Sequence, residues 1–267
     1  MREEIYKKIV VKVGTTTLVH KNGKLNIGRM ERLVRVLADI KNKGNDVVLV
    51  TSGAIGVGAG KLGVKNKKDI KIKQALAAVG QGVLMQFYEK LFSEYNTSVA
   101  QILLTREDIE KGARRQNALN TIRTLFEFDI IPIINENDTV AVEEIVFGDN
   151  DTLSAVVARL IGADILIILS DIDGLYTGIP GEEGASKISV VERITPEIEA
   201  LAGGSNTDFG TGGMKSKIYA ARIAIQAGIA MSIVHGKDPE LIYDVLEGKN
   251  PGTFFVPQRK CNVIGLS

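Results

Sequence analysis

Five short apolar runs restrict the possible folds most: Ile9 to Val13, Val47 to Val50, Val99 to Leu104, Ile130 to Ile134 and Ile165 to Leu169. They are rich in β-branched residues and show no strict alternation of apolar with polar. A strand with one wet face alternates, so unbroken runs predict strands buried on both faces, as in a mainly parallel sheet. Longer segments with helical spacing separate them. Met30, Leu33, Val34, Leu37 and Ile40 form one apolar stripe, placing a helix after Ile27 that ends near Lys43-Gly44, where glycine takes the left-handed conformation beyond the helix end.

Further helices are expected from about Asp69 to Tyr95 and from about Arg115 to Phe128. Leu153, Val156, Val157 and Leu160 mark another, stopped by Gly162. Between Ile179 and Gly213 glycines punctuate a mainly polar stretch, where loops and a short hairpin are expected. A helix from about Gly213 to Ala227, a strand over Ile229 to Val234 and a helix from Pro239 to Leu246 follow. This alternation predicts an α/β fold with helices on both faces of an open sheet. No internal repeat or interdomain linker is visible, so residues 1–267 read as one domain.

Composition narrows the function classes. With 267 residues, 45% of them hydrophobic, the chain can bury a large core. Its net charge of +1 gives no global attraction to nucleic acid or an anionic membrane, so any anion binding is local. The single cysteine, Cys261, excludes an intrachain disulfide and a thiolate metal cluster, which fits a reducing compartment. The N-terminal residues lack the apolar centre of a signal peptide, and no apolar run approaches the roughly 20 residues of a membrane helix, so a cytoplasmic location is expected.

Candidate chemistry gathers where strands end. The first strand carries Lys12 and runs into Gly14-Thr15-Thr16-Thr17, and the second breaks into Thr51-Ser52-Gly53-Ala54-Ile55-Gly56. In an open α/β sheet ligands bind beyond the carboxyl ends of the strands, and glycine there lets backbone amides approach phosphate. Each element has a plainer reading: a turn with a solvent-facing lysine at Gly14, and a helix cap at Ser52. Neither turn is a P-loop. Gly58, Gly60 and Gly63 match the dinucleotide spacing, but they follow no strand and no acidic residue lies about 20 positions on.

The segment Gly210-Thr211-Gly212-Gly213-Met214-Lys215-Ser216-Lys217 couples a glycine-rich loop to a helix start with two lysines, an arrangement suited to phosphate and equally to a surface helix. Asn135-Glu136-Asn137-Asp138-Thr139 and Phe147-Gly148-Asp149-Asn150-Asp151-Thr152 offer carboxylates and amides for a substrate ammonium group, or caps for helices and turns. Ser170-Asp171-Ile172-Asp173-Gly174 suits a metal, a ribose or a tight turn. His20 and His235 are isolated in the sequence, which gives little support to a histidine metal site or a serine–histidine triad.

Taken in order, Val11-Lys12-Val13-Gly14-Thr15-Thr16, Val50-Thr51-Ser52-Gly53-Ala54-Ile55, Asn135-Glu136-Asn137-Asp138, Phe147-Gly148-Asp149-Asn150-Asp151 and Gly210-Thr211-Gly212-Gly213-Met214 resemble the amino acid kinase family, in particular the branch that phosphorylates L-glutamate. The resemblance spans essentially the whole chain. It implies a three-layer α/β/α sandwich, with the acceptor substrate over the N-terminal half and ATP over the C-terminal half. The implied reaction moves the γ-phosphoryl group of ATP, with Mg²⁺, to the side-chain carboxylate of L-glutamate, giving L-glutamyl 5-phosphate in proline biosynthesis.

In this reading Lys12 and Lys217 stabilise the transferring phosphoryl group, aided by the amides of Gly14 and Gly53, and Asp151 holds the two ammonium groups in place. Ser52, Asp138 and Asn150 bind glutamate. Lys12, Ser170, Asp171, Thr211, Gly212, Gly213, Met214, Lys215, Ser216 and Lys217 contact ATP, and no protein ligand to the metal is assigned. Many members of that branch carry a C-terminal PUA domain, which is not expected here. Feedback inhibition by proline and a homo-oligomer are expected, and the apolar spacing from Asp69 to Tyr95 and in the following segment reads equally as a subunit interface or as core. The alternatives are another acceptor of the same family (acetylglutamate, carbamate, aspartate or a nucleoside monophosphate) and a non-catalytic amino acid sensor.

Overall fold

A computed structural model of the chain describes residues 6–67, 69–105, 107–110, 112–140, 150–201 and 213–258. Its strands are β1 (Lys8–Val13), β2 (Asp46–Val50), β3 (Val99–Leu104), β4 (Ile131–Glu136), β5 (Ile165–Ser170), β6 (Leu175–Tyr176), β7 (Lys187–Ile188), β8 (Val190–Val191), β9 (Ala230–His235) and β10 (Thr253–Phe255). Its helices are α1 (Thr15–Leu18), α2 (Ile27–Asn42), α3 (Ala54–Leu62), α4 (Ile70–Ser93), α5 (Glu107–Glu110), α6 (Ala113–Glu127), α7 (Asn150–Ile161), α8 (Pro196–Leu201), α9 (Met214–Gln226) and α10 (Leu241–Leu246).

Among the described residues eight strands form one sheet in the order β3-β4-β2-β1-β5-β9-β10-β8, and β6 pairs antiparallel with β7 in a hairpin that begins before Ile179, ahead of the stretch where one was expected. Strands β3, β4, β2, β1, β5 and β9 are mutually parallel, and only β10 runs antiparallel to its neighbour β9. The apolar runs are buried on both faces, as their lack of alternation requires. Val10, Val48, Ile134, Leu166 and Ile168 pack against α6, α7 and α9. Ile9, Val11, Leu49, Ile133 and Ile167 pack on the opposite face against α2, α4 and α10. The result is the expected helix–sheet–helix layering.

Boundaries follow local chemistry. Asn26 caps α2 by accepting from the Arg29 amide, Asp69 caps α4 by accepting from the Lys71 amide, and left-handed Gly44 follows the end of α2. Gly58 and Gly60 lie inside α3 rather than in a strand-to-helix turn. A methyl group at Gly58 would overlap the carbonyl of Leu76, and one at Gly80 the carbonyl of Ala54, so these glycines bring α3 and α4 into backbone contact. None of the described helices is long and apolar enough to cross a membrane.

Because six adjacent strands are parallel, their carboxyl ends share one edge. Gly14, Thr51 to Gly53, Asn135 to Asp138, Ser170-Asp171 and His235 all leave the sheet there. The crossover helix α7 begins at the same edge, beneath β1 and β5.

Candidate active site

Lys12 stands one residue before the end of β1, on the face covered by α7. Asp151 lies in the first turn of α7, and Lys217 in the first turn of α9, which packs along α7. The three meet: Lys12 Nζ is 2.5 Å from Asp151 Oδ1, and Lys217 Nζ is 3.0 Å from Asp151 Oδ2. Ser216 Oγ lies 3.1 Å from Asp151 Oδ2 and 2.8 Å from the Gly213 carbonyl, which share its single hydrogen, and so brings α9 to the same carboxylate.

Asp151 is fully buried and both lysines are 4% exposed. Two ammonium groups against one carboxylate carry a formal charge of +1. Burying charge is unfavourable unless it is paired, and each lysine here is paired with one oxygen of Asp151. The triad therefore holds two ammonium groups in fixed positions beneath the edge where substrates enter a sheet of this kind.

The neighbouring residue, Asn150, points its amide elsewhere. Its Nδ2 lies 2.8 Å from the Thr51 carbonyl, 2.8 Å from Ser52 Oγ and 2.9 Å from Asn135 Oδ1. Asn135 also accepts from the Glu136 amide and donates through Nδ2 to Gln81 Oε1, both at 2.9 Å. Ser52 thus belongs to this amide cluster and is not the cap of α3. That position falls to Gly53, whose φ of 97° is a left-handed conformation disfavoured for residues with a β-carbon. Asp138 is half-buried in the turn after β4, where burial raises its pKa to about 6.

On the other side of Lys12, buried Ser170 ends β5 and its hydroxyl donates to exposed Asp171 at 3.1 Å. Asp173 turns away to Tyr176 and Lys187, so the two carboxylates of this turn do not act on one ligand position. Gly213 starts α9, with Met214 buried, Lys215 exposed and Ser216 half-buried behind it. Thr211 and Gly212 lie outside the described residues, as does the segment Phe147 to Asp149. His235, isolated in sequence, pairs across β5 and β9 with Ser170; burial and nearby Lys237 lower its pKa. Among the described residues no three acidic, histidine or cysteine side chains gather as metal ligands.

Sequence reasoning placed Asn135 in a candidate segment without a role of its own and did not name Gln81. Gln81 had a readable signal, since it shares a helical face with Ala77, Leu84 and Tyr88, and a polar amide in such a stripe requires buried partners.

The model of the "Amino acid kinase family" matches residues 7–235. A glutamate 5-kinase of Clostridium tetani is 55% identical over 251 residues, covering 93% of this chain and 94% of that protein. That of Clostridium perfringens is 52% identical over 259 residues, covering 95% and 96%. That of Moorella thermoacetica is 54% identical over 254 residues, covering 94% of this chain and 67% of its own length. Among solved structures, carbamate kinase from Giardia lamblia bound to AMP-PNP superposes with a TM-score of 0.67 at 18% identity over 95% of this chain and 99% of that one. UMP kinase from Ureaplasma parvum gives 0.65 at 15% over 96% and 100%. With its sheet, its layering and its full-length sequence likeness in agreement, the chain belongs to the amino acid kinase family.

Proposed function

We propose that this chain transfers the γ-phosphoryl group of ATP to the side-chain carboxylate of L-glutamate, forming L-glutamyl 5-phosphate for proline biosynthesis. The observation that carries the phosphoryl-transfer reading is the buried Lys12–Asp151–Lys217 triad, which sets two ammonium groups on one carboxylate. Relatives at 52–55% identity that are named glutamate 5-kinase support the choice of acceptor.

A carboxylate is already a nucleophile, so the reaction needs neither a covalent enzyme intermediate nor a general base. The obstacle is bringing two anions together. In-line positioning and stabilisation of charge on the transferring oxygens are therefore the contributions required of the protein. Lys12 and Lys217 are assigned to those oxygens, with the amides of Gly14 and Gly53 assisting. Asp151 fixes the separation of the two ammonium groups and lessens their repulsion. The amide and hydroxyl cluster of Asn150 and Ser52, with Asp138 for the substrate ammonium group, holds glutamate over the N-terminal half.

ATP lies over the C-terminal half, against Ser170, Asp171 and the segment from Thr211 to Lys217. Mg²⁺ entering with ATP would supply charge stabilisation on the phosphate oxygens, and no protein ligand is assigned to it. The same reading carries inhibition by proline and homo-oligomeric assembly, which added proline in the assay and sedimentation would check.

ADP release measured in parallel with glutamate, acetylglutamate, carbamate, aspartate and UMP tests the acceptor. Release with glutamate alone is expected. Release with acetylglutamate and none with glutamate would overturn the choice, and tight glutamate binding with no ADP formed would indicate a sensor.

A further inference from the structure

Helix α4 lies on the opposite face of the sheet from α7, yet two of its polar side chains reach the acceptor cluster. Tyr88 Oη is 2.9 Å from Thr51 Oγ1, and Gln81 Oε1 accepts from Asn135 Nδ2 at 2.9 Å. The two are seven residues apart, hence on one helical face. Gln81 is 7% exposed, Asn135 1% and Tyr88 fully buried.

Backbone groups that cannot reverse set the amide directions of Asn135 and Asn150. The Glu136 N–H can only donate, so Asn135 must turn Oδ1 toward it and Nδ2 toward Gln81. The Thr51 carbonyl can only accept, so Asn150 must turn Nδ2 toward it, where Asn135 Oδ1 also receives it. Among the described residues Asn150 Oδ1 is thereby left as a buried acceptor without a hydrogen-bond partner at one end, and Gln81 Nε2 as a buried donor without one at the other. A buried amide group without a partner is unfavourable, so Gln81 Oε1, by accepting from the Asn135 Nδ2 that this orientation directs at it, stabilises the orientation.

We propose that Gln81 is a positioning residue for the amino acid acceptor: by accepting from Asn135 it orients Asn135 and, through it, Asn150, so that Asn150 Oδ1 stays available to an ammonium donor. The proposal rests on the glutamate-phosphorylating reading above. It predicts that the effect of Gln81 falls on the acceptor and spares the nucleotide.

The test is steady-state kinetics and direct glutamate titration of the full chain carrying Gln81→Met, which keeps the length of the side chain and removes the acceptor, beside Gln81→Glu, which keeps an oxygen toward Asn135. Thermal melting identifies folded variants, and Gln81→Asn, too short to reach Asn135, replaces the methionine variant should that one not fold. The expected result is a KM and Kd for glutamate raised roughly tenfold in Gln81→Met, with KM for ATP within about twofold and with Gln81→Glu restoring most of the affinity. A folded Gln81→Met with wild-type KM for glutamate overturns the role of Gln81 alone. Equal losses toward ATP and glutamate, or no rescue in Gln81→Glu, overturn it as well. Wild-type chain that turns over no glutamate would remove the underlying functional reading and this inference with it.

Discussion

Asn150 and Asp151, consecutive residues in the first turn of α7, point their side chains into two different clusters. Asn150 joins the amides and hydroxyl at the ends of β2 and β4, and Asp151 joins the two lysines from β1 and α9. One helix start therefore couples the proposed acceptor site to the proposed phosphoryl site, and a shift of α7 would disturb both at once.

Replacing Asp151 with Asn keeps the shape and removes the charge between the lysines. The expected outcome is a kcat lowered roughly 10²-fold or more, together with a stability loss on the order of 3 kcal/mol from two buried ammonium groups without their anion. Stopped ADP assays and urea unfolding would measure the two effects. Wild-type turnover in a folded Asp151→Asn protein would remove the aspartate from the mechanism.

Glutamate affinity should depend on the ionisation of Asp138. With a pKa near 6, this group is a carboxylate above that pH and a neutral acid below it. If it holds the substrate ammonium group, affinity is full above pH 6 and falls as the pH drops through it. Titration calorimetry with glutamate in the absence of ATP, from pH 5 to pH 8, would show the inflection, and Asp138→Asn should flatten it. For stability the sign is reversed: a raised carboxylate pKa penalises the folded state above pH 6, and the penalty fades as pH falls from about 6 toward 4.

Gly80 tests the link between packing and the site. A methyl group there overlaps the Ala54 carbonyl in the turn that begins α3, one residue after Gly53. Gly80→Ala should cost on the order of 1–3 kcal/mol by overpacking and raise KM for glutamate by displacing Gly53 and Ser52. Unchanged stability would mean that α3 and α4 separate freely.

Much of this was legible in the sequence because the parallel strands carry their own signature. The unbroken runs placed β1 to β5 to within two residues, and glycine placed the end of α2. Short elements without a run of their own were not legible. β10 is three residues long and is defined by pairing with β9 and β8, and α8 contains no fully buried residue. The lysines could be placed at strand and helix ends, but their meeting on one carboxylate depends on the packing of α7 against α9, which no local pattern encodes. Ser52 read equally well as a cap, because a hydroxyl before a helix looks the same whether it faces a backbone amide or, as here, Asn150.

The account is tested most directly by trapping the product. Acyl phosphates react with hydroxylamine to give hydroxamates, so the chain with MgATP, glutamate and hydroxylamine should yield γ-glutamyl hydroxamate in step with ADP, and Lys217→Ala should lower that rate by roughly 10²-fold or more. ADP formed without hydroxamate, or a folded Lys217→Ala protein that forms both at the wild-type rate, would contradict it.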